Sequence, residues 1–218
     1  MIGGVLTIDD LELRLDGTTL WFVSDGERHE ARLRTLGEAQ ALAALDGIGA
    51  AIEAGAPLAE AVAAAEAAAS GHWMMQPTTI DANVTIINDS HGATKDDTAA
   101  ALRSLVQLAP AGARTVAVLG AFDSAPADHV EEHDAIGRLV VRLNVGQLVA
   151  VGHDARHLQS AAGLEGSWDG ESVIVDTPEE AYDLLRDEIR QNDVVLVKGA
   201  AGSGLGPLGD RLAGVTSW

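Results

Sequence analysis

The feature that most constrains the fold is an alternation of short apolar strands with longer helical segments after residue 83. The strands are continuous runs of Val, Ile and Leu between turn residues, at 84–87, 115–119, 147–151, 172–175 and 193–197. Helical patterns lie between them, at 94–108, 127–143, 153–162 and 178–190. Apolar strands separated by helices are typical of a parallel sheet covered on both faces. The sequence therefore predicts an α/β, Rossmann-like, mostly parallel sheet with helices on both faces.

The first part of the chain has a different pattern. Apolar and charged residues alternate between residues 7 and 36, with turns at Asp16-Gly17 and Asp25-Gly26, which predicts a β-hairpin or meander with one solvated face. Two alanine-rich helices follow, at 37–55 and 58–69. So few elements bury little core by themselves. We therefore predict a small α+β region over 1–78, ending in a connector at 70–79, and a second domain over 79–218.

Composition excludes several classes of protein. The formal net charge of −19 would repel a phosphate backbone, so nucleic-acid binding is not expected. Two explanations of the charge stay open: an adaptation for solubility, and an alanine-rich, acidic proteome. No apolar run is long enough to span a membrane, and no secretory segment opens the sequence. Cysteine is absent, which excludes disulfides and thiolate metal sites.

Polar residues follow the first and the last of the predicted strands. Ligands of parallel sheets bind beyond the carboxyl ends of the strands. The candidates there are Asn88, Asp89, Ser90 and His91, and at the last strand Lys198 with Gly199. An aspartate in this place can hold a ribose hydroxyl. Two local alternatives remain: a strand end followed by a capping box of Thr94 and Asp97, and a solvated strand end at Lys198.

Four segments together resemble the C-terminal domain of the Mur ligase family. Asn88-Asp89-Ser90 with Ala93 resembles the opening of that domain, and residues 115–120 resemble its Val-Leu-Gly strand. Glu131-Glu132-His133 with Gly137 is similar to a family helix, and residues 193–199 are similar to Asp-x-Val-Leu-Val-Lys-Gly. Order and spacing agree over most of the second region. The first region resembles the end of the family's central ATPase domain, so the resemblance covers nearly the whole chain.

The resemblance implies a function. Mur ligases are cytoplasmic enzymes of bacterial peptidoglycan synthesis that use ATP and Mg²⁺ to activate a carboxylate as an acyl phosphate, which an amine then attacks. The likeness is strongest to members that add D-alanyl-D-alanine to a UDP-muramyl peptide. It implies that Asn88, Asp89 and Ser90 contact the nucleotide, with Asp89 on the ribose, and that Lys198, Gly199 and His91 contact substrate. It also implies that this chain needs further N-terminal and central-domain residues to be active.

Departures from the family pattern leave the function open between three hypotheses. The family's Tyr-Asn-Ala-Asn-Pro is replaced at 91–95, its Gly-Asp-Met at 120–122, its Lys-Gly-Ser-Arg at 198–201 and its His-Asn-x-x-Asn at 39–43. Polar ligand contacts are thus replaced while the apolar frame persists. The chain is then a portion of a ligase, a non-catalytic binding or regulatory module, or an independent enzyme with its own site.

Glycine-rich motifs do not predict a nucleotide loop within these residues. No GxxxxGK[ST] sequence is present, so the chain has no phosphate-binding loop of that kind. Gly204, Gly206 and Gly209 spell GxGxxG, but too few residues follow them for a βαβ unit. We interpret this segment as a flexible loop before a short final helix.

Several other side chains invite a specific role. His129 and His133 are spaced for zinc on one helix face, but no third ligand is evident, so no metal site is predicted. Asp154 is predicted to cap the helix that follows it. Asp89, Ser90 and His91 are adjacent in sequence, a poor arrangement for a catalytic triad. Trp21 and Trp168 are predicted to be packing residues.

Overall fold

Two sheets divide the chain into two compact units. The computed structural model describes residues 6–166 and 171–215, and the units divide between Gly71 and His72. This division precedes the predicted one at 78/79, because the predicted connector contains a strand, Gln76–Ile80, of the second sheet. The predicted packing role of Trp168 lies outside the described residues.

The first unit is a three-stranded antiparallel meander packed against two helices, as the alternating pattern predicts. Leu20 and Phe22 are fully buried under the helices. Trp21 lies on the opposite face of the meander, where Arg28 stacks over its ring at 5.3 Å and Glu30 accepts its indole N–H at 3.2 Å. Its elements are β1 (Thr7–Arg14), β2 (Gly17–Ser24), β3 (Glu27–Leu33), α1 (Glu38–Glu53) and α2 (Leu58–Ala67).

The second unit alternates strands and helices around a six-stranded sheet, which confirms the predicted α/β class. Its strands are β4 (Gln76–Ile80), β5 (Val84–Asn88), β6 (Thr115–Gly120), β7 (Gln147–Val151), β8 (Ser172–Val175) and β9 (Val194–Lys198). Its helices are α3 (Lys95–Leu108), α4 (His129–Arg142), α5 (Arg156–Glu165), α6 (Pro178–Glu188) and α7 (Leu205–Leu212).

The strand order is β4-β5-β9-β6-β7-β8, and every neighbouring pair except β4 and β5 is parallel. The antiparallel edge strand β4 was missed because its sequence, QPTTI, is polar and contains Pro77. Proline lacks a backbone N–H and is tolerated on an edge strand, where one side of the backbone needs no partner.

Helices cover both faces of this sheet. On one face, α6 and α7 pack Leu185, Leu205 and Leu208 against valines from the four central strands, including Val118 and Val197. On the other face, α3 contacts β6 and β9, α5 contacts β7 and β8, and α4 lies between these two helices. None of the described helices is long and apolar enough to cross a membrane.

Side chains cap the helix starts of α3 and α6, whereas α5 begins without a side-chain cap. Thr94 and Asp97 form a reciprocal capping box at α3, and the Thr177 hydroxyl accepts the Glu180 N–H at α6. The predicted cap at Asp154 is wrong. A 3-10 turn over His153–Ala155 leads into α5, and its backbone, rather than a side-chain cap, satisfies the first N–H groups.

Candidate functional site

Parallel pairing brings the predicted site residues to one edge of the second sheet. Strands β5 and β9 are neighbours, with Asn88 paired to Val197. Residues that follow β5 therefore lie beside Lys198, the last residue of β9. We call this side of the sheet, where the parallel strands end, the carboxyl edge. It is the side on which α/β proteins place their ligands.

Asp89 and Lys198 form a buried ion pair at the carboxyl edge. The ammonium of Lys198 lies 2.7 Å from Oδ2 of Asp89, and the two side chains are 4% and 13% exposed, respectively. Oδ1 of Asp89 accepts the backbone N–H of Met75 at 2.9 Å. Burial raises the pKa of the Asp89 carboxyl, and the attraction to Lys198 lowers it in part. The pair joins the ends of β5 and β9.

The ammonium of Lys198 already has three acceptors. Besides the carboxylate, it donates to the carbonyl of Gly92 at 3.0 Å and to that of Asp89 at 3.3 Å. An ammonium has three donors. The predicted contact of Lys198 with an anionic group would therefore require one of these internal bonds to break. The alternative of a solvated strand end does not describe this side chain either, because it is buried.

Asp89 keeps acceptor capacity beyond its two partners. A carboxylate offers about four acceptor positions, and Met75 and Lys198 occupy two of them. The side chain is also partly exposed. A ribose hydroxyl is a donor of the right kind for the remaining positions, so the predicted ribose contact is compatible with this geometry and stays a prediction.

Asn88 and Ser90 point into the domain. The amide nitrogen of Asn88 donates to the carbonyl of Gly206 at 2.9 Å and to Oδ1 of Asp210 at 3.1 Å. The Ser90 hydroxyl donates to the carbonyl of Val197 at 3.1 Å. Asn88 and Ser90 are 4% and 3% exposed. Both side chains thus hold the end of β5 against its neighbours, and their predicted nucleotide contacts would need this packing to open.

His91 and Gly199 occupy contrasting positions. His91 is exposed, and its backbone N–H donates to the carbonyl of Trp73 at 3.0 Å, which leaves the imidazole facing solvent. Gly199 is buried where the backbones of β6 and β9 approach, so that an added Cβ would lie 3.4 Å from the Cα of Gly120 and 2.8 Å from Leu205. Of the three residues predicted to bind substrate, only His91 has an accessible side chain.

The literal GxGxxG segment has a packing role. A Cβ at Gly206 would clash with the indole of Trp73, and one at Gly209 would lie 2.5 Å from the amide nitrogen of Asn88. The Trp73 indole donates to Oδ2 of Asp210 at 2.9 Å. Two of the three glycines therefore let α7 approach β5 and Trp73 closely, instead of forming the flexible loop predicted for this segment.

The two histidines considered for zinc are engaged within the domain. Their ring centroids lie 4.0 Å apart, and both ring nitrogens of His133 have protein partners, the carbonyl of His129 and the N–H of Phe122. Within 6–166 and 171–215, no group of three or more His, Asp or Glu side chains is arranged to hold a metal ion.

The carboxyl edge contains residues that sequence patterns did not indicate. Trp73 and Asp210 hold α7, and Phe122 stacks on His133 with ring centroids 3.8 Å apart. The signal available in the sequence was Asp210, a carboxylate on an otherwise apolar helix face. A carboxylate buried there requires hydrogen-bonding partners, here Trp73 and Asn88.

Comparison with known proteins identifies the family that shares this edge. The family model described as "Mur ligase, glutamate ligase domain" matches residues 73–201. The chain belongs to the Mur ligase family.

Curated relatives of this Mur ligase chain extend the similarity into the first unit. The UDP-N-acetylmuramoyl-tripeptide--D-alanyl-D-alanine ligase of Mycobacterium leprae is 39% identical over 199 residues, which cover 85% of this chain and 38% of that protein. The enzyme of the same name from Mycobacterium tuberculosis H37Rv is 39% identical over 201 residues, 84% of this chain and 39% of that protein. The chain thus spans well under half the length of these relatives.

Solved structures share the fold. MurF from Acinetobacter baumannii aligns with a TM-score of 0.82 at 22% identity, over 98% of this chain and 46% of that one. MurF ligase from Thermotoga maritima in complex with ADP aligns with a TM-score of 0.81 at 15% identity, over 98% of this chain and 47% of that one. At these identities the likeness concerns the fold alone, and it includes both units.

Proposed function

We propose that this chain is the C-terminal portion of a ligase that joins D-alanyl-D-alanine to a UDP-muramyl peptide in the bacterial cytoplasm. The observation that carries the proposal is the 39% identity to the UDP-N-acetylmuramoyl-tripeptide--D-alanyl-D-alanine ligase of Mycobacterium leprae, which covers 85% of the chain and so reaches into both units. In such a ligase, ATP with Mg²⁺ supplies activation of the carboxylate as an acyl phosphate.

The carboxyl edge would supply one nucleotide contact. Asp89 is positioned by Met75 and Lys198, is partly exposed, and has free acceptor positions for a ribose hydroxyl. Gly199 and the exposed His91 border the same edge and are the parts of this chain that we assign to the substrate side.

The phosphates do not fit the residues of this edge. The three donors of Lys198 are bound to acceptors within the domain. The family's Lys-Gly-Ser-Arg reads Lys198-Gly199-Ala200-Ala201 here, without the arginine. The sequence has no GxxxxGK[ST] loop. We therefore assign the phosphate clamp and the Mg²⁺ ligands to central-domain residues outside these 218, and we expect no ligase activity from this chain alone.

A chimera tests the proposal directly. These 218 residues would replace the matching C-terminal part of the M. leprae ligase, and ADP formation dependent on D-alanyl-D-alanine would be measured. The ligase proposal predicts turnover above that of the truncated enzyme, and Asp89→Ala should lower affinity for ATP by the roughly 1–3 kcal/mol that an unmade buried polar contact costs.

A second candidate function is a non-catalytic module, and the saturation of Lys198 by internal acceptors favours it. A folded but inactive chimera would support this candidate. The matched variant Ala200→Ser with Ala201→Arg restores the family's Lys-Gly-Ser-Arg in the same chimera. Activity regained by that variant alone would assign the loss to this loop, while continued inactivity of both would contradict the ligase proposal.

A further inference from the structure

The loop after β6, residues 121–128, is held by an imidazole. The backbone N–H of Phe122 donates to Nε2 of His133 at 3.3 Å. The two rings stack with centroids 3.8 Å apart and an interplanar angle of 2°. His133 is fully buried, and Phe122 is 4% exposed. We call residues 121–128 the β6 loop.

The partners of His133 define its protonation state. Its Nδ1 lies 2.7 Å from the carbonyl of His129, and a carbonyl only accepts, so Nδ1 carries the hydrogen. Its Nε2 receives the N–H of Phe122 and therefore carries none. The ring is a neutral Nδ1–H tautomer. A proton added at Nε2 would face the Phe122 N–H and remove the acceptor.

Other titratable groups surround this ring. The ring of His129 on α4 lies 4.0 Å from that of His133 and is tilted by 36°. His157 on α5 lies 6.0 Å from His129 and 3.9 Å from Asp134. Asp154 lies in the 3-10 turn before α5. Burial lowers the pKa of His133 from 6.5 to about 4; the bond to His129 and the charge of Asp154 act to raise it, and the neighbouring imidazoles lower it.

The β6 loop connects two other loops of the carboxyl edge. The carbonyl of Ala121 accepts the N–H of Ala200, at 2.9 Å, from the loop after β9. The N–H of Asp123 donates, at 2.8 Å, to the carbonyl of Ala93 in the loop after β5. Displacement of the β6 loop would therefore break hydrogen bonds to the segments that follow both Asp89 and Lys198.

We propose that neutral His133 is a positioning residue that holds the β6 loop at the carboxyl edge, and that its protonation releases this loop. A released loop leaves His133 near its ordinary pKa of 6.5, whereas the closed state holds it at about 4. Between these values the released state binds the extra proton, so acidification favours release, and above 6.5 the loop stays closed.

Amide hydrogen exchange of the whole chain, followed by NMR and corrected for intrinsic rates, tests the proposal without nucleotide. Protection of the Phe122 and Asp123 amides should fall by up to roughly tenfold per pH unit between about pH 6.5 and about pH 4. Protection of Val118, inside β6, should stay nearly constant as the internal control. Constant protection of Phe122 across this window in the folded protein would overturn the proposal.

Two variants and the imidazole ¹⁵N spectrum separate positioning from simple packing. His133→Phe keeps a stacked ring but no acceptor, so Phe122 should exchange fast at every pH. His157→Phe keeps the acceptor and removes a repelling imidazole, so the pH dependence should persist with a higher pKa for His133. If His133→Phe does not fold, the wild-type and His157→Phe series decide. An Nε2 of His133 that carries a proton at pH 7 would also overturn the proposal.

Discussion

The two ends of strand β9 carry ion pairs of different construction, each built on a largely buried carboxylate. Before its amino end, Asp193 binds Arg114 through both carboxylate oxygens, at 3.1 and 2.5 Å, and Arg114 also donates to Gln147 and to the carbonyl of Glu188. At its carboxyl end, Lys198 meets a single oxygen of Asp89. The Asp193 side chain is 2% exposed, against 13% for Asp89.

The difference separates a purely structural pair from one with spare capacity. The planar guanidinium matches both oxygens of Asp193 and fixes β6, β9 and the end of α6 together. The ammonium of Lys198 is a point charge that leaves acceptor positions on Asp89 open to a partner. Both pairs join neighbouring strands, and the carboxylate at the carboxyl edge keeps acceptor positions for a further partner.

The largest effect is expected at the amino end. Asp193→Ala removes the carboxylate that binds Arg114 and accepts the Arg190 N–H, and should destabilise the second unit by about 3–4 kcal/mol in urea unfolding, the lower part of the range for a broken buried pair because Arg114 is 24% exposed. Asp187→Ala, which removes the exposed carboxylate of a surface pair with Arg186, is the control and should cost less than about 1 kcal/mol. Similar small losses in both variants would refute a structural role for the Arg114 pair.

A smaller, pH-dependent effect is expected at the carboxyl end. Lys198→Met leaves Asp89 buried without its cation, and should cost about 2–3 kcal/mol at pH 7, below the range for a fully buried pair, because this carboxyl can take up a proton. Burial already raises the folded-state pKa of Asp89, and loss of Lys198 raises it further. The folded variant therefore binds a proton at a higher pH than the unfolded chain, so its deficit should shrink as pH falls.

The chain's other lysine provides the control for this variant. Lys95→Met should change the free energy of unfolding by less than about 0.5 kcal/mol, both at pH 7 and at lower pH, as is usual for a surface substitution. A Lys198→Met deficit that grows on acidification would contradict the assigned pairing.

The smallest loss of stability is expected from the hydrogen bond between Trp73 and Asp210, which holds α7. Trp73→Phe keeps an aromatic ring against Gly206 but loses the indole donor to Asp210, and should cost about 1–2 kcal/mol, because a buried acceptor loses a partner. Trp21→Phe, on the outer face of the meander, loses a more exposed bond to Glu30 and should cost less than about 1 kcal/mol. Equal thermal shifts for the two variants would argue against an anchoring role for Trp73.

Sequence patterns predicted the parallel sheet well because strands buried on both faces consist of continuous apolar residues. Continuous apolar runs such as 115–119 and 193–197, alternating with helical segments, are typical of buried parallel strands. Thr94 and Asp97 indicate a helix start from neighbouring residues alone. Strand β4 lacks such an apolar run, because an edge strand that is partly exposed to solvent tolerates Pro77 and threonines.

The site was less predictable because its contacts join residues far apart in sequence. Asn88, Asp89 and Ser90 look like ligand residues at a strand end, yet two of them point into the domain because α7 and β9 come to lie against them. The partner of Asp89 is more than a hundred residues away. The sequence around Gly206 and Gly209 does not indicate that a side chain at either position would collide with Trp73 or Asn88.

Lys198 pairs with Asp89 and is assigned no phosphate contact. The direct measurement is a pair of dissociation constants, for adenosine and for ATP with Mg²⁺, in the chimera with and without Lys198→Met. If Lys198 only positions Asp89, the variant should weaken both ligands by the same factor, because both carry the ribose. A loss of roughly tenfold or more for ATP, about the 1.4 kcal/mol of one charge-assisted bond, with adenosine unchanged, would place Lys198 on a phosphate and contradict its assignment to Asp89.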